Sequence, residues 1–189
     1  MVSTEEQDGA AIETWHSLER ISHPLIRQFA DYWQRKRGAR RAPARCDIDP
    51  TELGSFLPHM FMLDVIRPDM RFKVRLVGTD MERDSNIYNS TGRFADEVVP
   101  PNAYAELQDE MEDVARHFVL RYKIADMAWQ GRPYARYHRL MMPLSDDQSM
   151  VSIVLGIGYL IQAQDVPFTP LEAAIEIMPV SQSRILAAK

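Results

Sequence analysis

Asp64 is the residue whose setting most invites chemistry. It shares one face of a strand with Met62 and Ile66, where a carboxylate must find a partner or stay wet. Arg75 or His138 could meet it across a sheet, and a carboxylate beside an imidazole can move protons in an apolar pocket. The plainer alternative is a solvent position on an edge strand, the usual place for a carboxylate. Asp146 and Asp147 are neighbours in a loop, a spacing that suits turn formation better than convergence on one substrate. The sequence carries no GxSxG elbow, phosphate loop, HExxH pair or paired-cysteine cluster. We therefore expect a non-enzymatic protein, with no catalytic residues and no metal site. The single cysteine, Cys46, cannot build an intramolecular disulfide framework and fits a reducing, cytoplasmic compartment.

The bulk properties narrow the partners. A net charge of −5 over 189 residues gives no reason to expect nucleic acid or an anionic membrane. The longest apolar runs, such as VSIVLGIGYLI (151–161), are too short and too rich in glycine to span a bilayer. The acidic start, MVSTEEQDGA, is the opposite of a secretory signal. Residues 35–45, RKRGARRAPAR, hold six of the 22 basic residues. Their charges favour a helix C-terminus and read as a solvated linker. The Arg37–Arg41 spacing is similar to the RxxxR half of a PilZ-type dinucleotide site, but the DxSxxG half is missing.

Positioning elements follow from periodicity. Residues 1–10 read as a disordered tail, and 11–37 as helical, with Pro24 at a helix start, Ser22 or His23 as cap, and Gly38 as the stop. Leu25, Ile26, Phe29, Tyr32 and Trp33 make one apolar face, to be covered by the domain or by a second subunit. Asp49-Pro50-Thr51-Glu52 is a helix-start signature. Strands are expected at 61–66 and 71–78, the second with Phe72, Val74 and Leu76 on one face. Thr79 and Glu82 read as a capping box, residues 94–99 as one helical turn, and Asn102 as the cap of a longer helix. Three more strands are expected at 119–129, 132–144 and 150–161, joined by hairpin loops at Gln130-Gly131 and at 145–148. Thr169 would cap a final helix. The economical fold is α+β: one five-stranded antiparallel sheet with short helices across one face and an N-terminal helical extension across the other. The expected divisions are a tail (1–10), a helical extension and basic linker (11–45), a core domain (46–163) and a C-terminal helix and tail (164–189).

The order strand-strand-helices-strand-strand-strand resembles the PAS fold. The series DIDPTELGSFLPHMFMLDV, FKVRLVGTDMERDSN, TGRFADEV and GRPYARYHRLMMPLSDD is similar to a small PAS subfamily common in alphaproteobacteria. The resemblance implies a cavity between helices and sheet, flanking helices that often dimerise, and a sensory or interaction role in bacterial signalling without an output domain of its own. It does not supply the ligand, since chemistry varies widely on one scaffold. Cysteinyl-flavin photochemistry is excluded, because the run TGRFADEV lacks the reactive cysteine. Haem-binding relatives use a histidine on the long helix or the following strand, which makes His117 and His138 the candidate axial ligands. Met81, Met141 and Met142 are better read as adaptable core fillers.

The expected ligand pocket comprises Phe72, Val74, Leu76, Met81, Ile87, Phe94, His138, Leu140 and Met142. Such a lining suits a small hydrophobic or amphipathic molecule, and the same residues would equally fill a core. Phe29, Tyr32 and Trp33 are the expected surface for a homodimer or signalling partner. A second reading comes from a resemblance to the cone-shaped isomerase and dehydratase scaffold, in which Asp64 and His138 would be the working pair. A purely structural adaptor with a filled core is the third.

Overall fold

Seven strands form one mixed sheet in the computed structural model, which describes residues 12–127, 132–162 and 171–177. The strands are β1 (Ile12–Trp15), β2 (Met60–Ile66), β3 (Arg71–Val77), β4 (Leu120–Met127), β5 (Arg132–Leu144), β6 (Ile153–Gln162) and β7 (Leu171–Ile175). Their spatial order is β1-β7-β4-β5-β6-β2-β3. The five strands expected from the sequence, β2 to β6, are contiguous in that order and antiparallel to their neighbours. The sheet is wider than expected because β7 adds antiparallel to β4, and β1 adds parallel to β7. Both additions overturn helix assignments. Residues 12–15 and 171–175 are extended, since pairing of β7 with β4, and of β1 with β7, satisfies backbone groups and outweighs local helix preference. The 1–10 tail, the Gln130-Gly131 loop and the Thr169 cap lie outside the described residues.

Among the described residues, five α-helices accompany the sheet: α1 (Pro24–Arg37), α2 (Pro50–Leu53), α3 (Thr79–Ser85), α4 (Ala95–Val98) and α5 (Pro101–His117). His23 caps α1, its Nδ1 accepting from the Ile26 amide, and Pro24 occupies the first turn. Asp49 caps α2 by accepting from the Thr51 amide at 2.8 Å. Two expected caps are corrected. Gly78 rather than Thr79 precedes α3, and Pro100 rather than Asn102 precedes α5. In both cases the chain leaves an extended residue directly into the helix, and no side chain closes the cap.

The sheet is covered on both faces. On one, α1 buries Phe29 and Trp33 completely and leaves Tyr32 only 4% exposed. The Trp33 indole donates to the Pro143 carbonyl at 2.9 Å, the Phe29 ring lies 5.2 Å from Phe56, and the Tyr32 hydroxyl accepts from the Asp49 amide. These three residues are therefore core and not a partner surface. On the other face, α5 crosses β4, β5 and β6, with Met111, Val114 and Ala115 buried, while α4 lies against β3 and α3 against β6 and the 3₁₀ segment Gly54–His59. A predominantly apolar interior strand, β6, is what two covered faces require.

Candidate functional site: a cavity between sheet and helices

A cavity of about 240 Å³ opens between the sheet and the roof formed by α3, α4, α5 and the loop between α3 and α4. Its floor is a consequence of two glycines. On β6, a Cβ at Gly156 would lie 2.0 Å from the Phe61 ring, and one at Gly158 would lie 2.1 Å from the Tyr137 hydroxyl. Lacking side chains, these positions let both rings approach the central strand, which leaves space above them. Phe61, Leu63, Val74 and Val77 supply apolar floor, and Met81, Ile87, Val98 and Leu107 come from the roof. The Tyr137 hydroxyl donates to the Met81 sulfur at 3.3 Å, and burial pushes its pKa up to about 12, so it stays a neutral donor.

One end of the cavity is charged. Lys123 on β4 and Arg139 on β5 both line it and stand directly opposite each other in the strand register. Like charges in that relation repel, so carboxylates must hold them. Glu110, only 2% exposed, accepts from Arg139 at 2.6 Å and lies 3.4 Å from Lys123. Burial raises the Glu110 pKa, against the opposing pull of Arg139. Glu106, one turn earlier on α5, forms a second ion pair with Lys123, and Glu172 stands 3.8 Å away. Burial lowers the Lys123 pKa, with Glu172 acting in the opposite direction. At the β3 side, Ser90 is 2% exposed and its hydroxyl has no hydrogen-bond partner, although it lines the cavity.

Of the pocket residues expected from sequence, Val74, Met81 and Ile87 line this cavity. Leu76 does not, because of a bulge. Leu63 pairs with Val74 and Met62 with Leu76, so Arg75 is an extra residue on β3 and side-chain alternation shifts by one. Val77 takes the expected place, and Leu76 is left 36% exposed. Phe72 is buried beside the cavity without lining it. Phe94 precedes α4 and packs beneath the Arg71 guanidinium, 3.6 Å from its ring centre. His138, Leu140 and Met142 belong to the opposite side of β5, facing α1, because Tyr137 and Arg139 have the inward parity.

His138 has a different setting from the one expected. Its Nδ1 is 2.9 Å from the Tyr122 hydroxyl, which is also 2.9 Å from the Ser22 hydroxyl. The His23 ring is 5.4 Å away and stacks on Tyr159, which His59 flanks on another side at 4.0 Å. Burial, reinforced by His23 and Arg136, lowers the His138 pKa to about 4, so the imidazole is neutral at ordinary pH. His117 is exposed at the end of α5, paired with Asp113 at 2.6 Å. Neither histidine lines the cavity, and no histidine or cysteine is found among its described lining residues. Cys46 is exposed in the 3₁₀ turn Arg45–Asp47.

Asp64 and His138 are not brought together. Asp64 is level with Ile153, and so with Leu144 of β5, six residues along the strand from His138. That separation is roughly 20 Å. Asp64 instead accepts from Arg75 at 2.7 Å, the alternative partner. Asp146 and Asp147 work as turn residues: Asp147 accepts from the Ser149 and Met150 amides, and Asp146 from the Arg45 amide. The basic run is likewise absorbed locally, Arg40 pairing with Asp47 and Arg41 lying over the Phe118 ring. Among the described residues no group of three potential ligands is placed to hold a metal, and no helix is long and apolar enough to cross a membrane.

Sequence reasoning missed Lys123, Arg139, Glu106 and Glu110. The usable signals were the two glycines two residues apart on β6, and Glu106 and Glu110 four apart on α5. A comparison with curated proteins finds no match. A scan against protein-family models finds one described as PAS domain, matching residues 21–158, well over half of the chain. With a helix-roofed cavity over five antiparallel strands in the expected order, and that match running from α1 to β6, the chain belongs to the PAS domain family.

Proposed function

We propose that this protein is a sensory module that takes a small amphipathic molecule into the cavity between the sheet and α3 to α5. The observation that carries the reading is a 240 Å³ cavity with a mostly apolar lining and a charged cluster at one end. A filled core would close such space, because voids forfeit packing energy. Membership of the PAS family supports a sensory or interaction role. Ile87 lines the cavity, and the next residue, Tyr88, is more than half exposed, so a ligand that moves this segment changes the outer surface. A signalling partner, or a second copy of the chain, would read that change in the bacterial cytoplasm. It would engage a surface other than the buried face of α1.

The test is native mass spectrometry of the purified protein beside Ala103→Phe, which fills the cavity from α5. The wild type is expected to retain or take up a small amphiphile that the variant loses while remaining folded. Equal ligand uptake by both proteins would overturn the reading.

A further inference from the structure

We propose that the cavity is built for an amphiphile with an anionic head, a carboxylate, and that Glu106 is an internal occupant of the head site which the ligand displaces. This rests on the cavity reading above and specifies its ligand class. The central observation is the direct opposition of Lys123 and Arg139 in the register, both lining a mostly apolar space. Two cations in such a place need two anions nearby. Glu110 is one, fixed in the interior at 2% exposure between the two cations. Glu106 is the other, and it differs in kind: its side chain is 65% exposed, whereas that of Lys123 is 10% exposed.

An exposed carboxylate is held only weakly by a salt bridge, since water competes for it and a long side chain must be ordered. Swinging Glu106 outward therefore costs little and frees the Lys123 ammonium of its exposed partner, leaving it only the longer contacts to Glu110 at 3.4 Å and Glu172 at 3.8 Å. Arg139 supplies a second donor, because its buried Nε has no hydrogen-bond partner. Glu172, 3.8 Å from Lys123, is already engaged by Arg121 and does not replace Glu106. A ligand carboxylate entering here would bond Lys123 and Arg139 while its apolar part lies over Phe61 and Leu63. A cationic head would meet two like charges, with Glu110 already engaged by both and Glu172 by Arg121.

The experiment titrates octanoate, octan-1-ol and octylamine into the full chain and into two variants, by calorimetry. Octanoate is expected to bind best to the wild type. Glu106→Gln, a change at an exposed position, is expected to tighten octanoate about two- to fivefold and to leave octanol unchanged. Lys123→Met is expected to abolish the preference for octanoate over octanol. Octanol binding as tightly as octanoate, with Glu106→Gln altering neither, would overturn the anionic-head assignment and leave the cavity reading intact. Preference for octylamine would overturn it too. Binding of none of the three to the wild type or to Glu106→Gln would overturn both.

Discussion

The Trp33 indole donates to the Pro143 carbonyl at 2.9 Å with its ring wholly buried, which fastens α1 to β5 within a single chain. An aromatic face that reads in sequence as a subunit contact is thereby used up inside the domain. Pro143 suits this position, because β5 offers its carbonyl away from the neighbouring strand. Trp33→Ala should lose about 3–5 kcal/mol of folding stability, through both the cavity and the unpaired carbonyl. Chemical denaturation measures this, and an unchanged midpoint would contradict the core assignment of α1.

Gly158 and Gly156 should be intolerant of even a methyl group. In Gly158→Ala the new Cβ would collide with the Tyr137 hydroxyl, and in Gly156→Ala with the Phe61 ring. The displaced rings have only the cavity to move into. Each variant should lose about 1–3 kcal/mol, and amphiphile uptake should fall more than in a surface variant of equal stability. Denaturation and calorimetry on the same samples separate the two effects.

His138 should make the fold acid-sensitive. Its native pKa of about 4 lies below the unfolded value of 6.5. Above that unfolded value both states are neutral, and the contribution is fully present. Between about pH 6.5 and 4 the unfolded chain binds a proton that the native imidazole refuses, so stability falls with acidification by roughly 3 kcal/mol. His138→Gln should flatten the slope of unfolding free energy in this window. A slope identical to wild type would mean that other groups set it.

Glu110 should be structurally indispensable where Glu106 is not. Glu110→Ala leaves the Arg139 guanidinium buried without its carboxylate, and about 3–5 kcal/mol should be lost. Glu106→Gln should change stability by less than about 1 kcal/mol. Thermal and chemical unfolding of the two variants side by side tests the contrast. Equal losses would place both carboxylates in the same fixed network.

Much of the frame was legible in local sequence. The alternation in β3, the Asp49-Pro50 start of α2, the His23-Pro24 start of α1 and the apolar β6 each encode their element with neighbouring residues alone. The strand order and the interrupting helices follow from the sequence of those elements, and the match to PAS domain accords with that reading. Local preference failed at β7, where LEAAI pairs with β4 despite its helix-forming composition.

The site was less legible, and the reason is geometric. Alternation along β5 separates Tyr137 and Arg139 from His138, Leu140 and Met142, yet it cannot say which set faces α1 when both faces are covered. Apolar character pointed to the wrong set, because α1 supplies the drier cover and the cavity tolerates a tyrosine and two cations. Leu76 was misplaced by one bulge, a single extra residue that exists only in relation to β2. Capping and periodicity act within a few residues, and they marked α1, α2 and the order of β2 to β6, but not β1 or β7. Tertiary structure alone decided that Lys123 faces Arg139 between the neighbouring strands β4 and β5, and that Glu106 and Glu110 of α5 hold them. Those contacts join residues up to 29 positions apart (110 to 139), and only the closed sheet and its crossing helix bring them within reach.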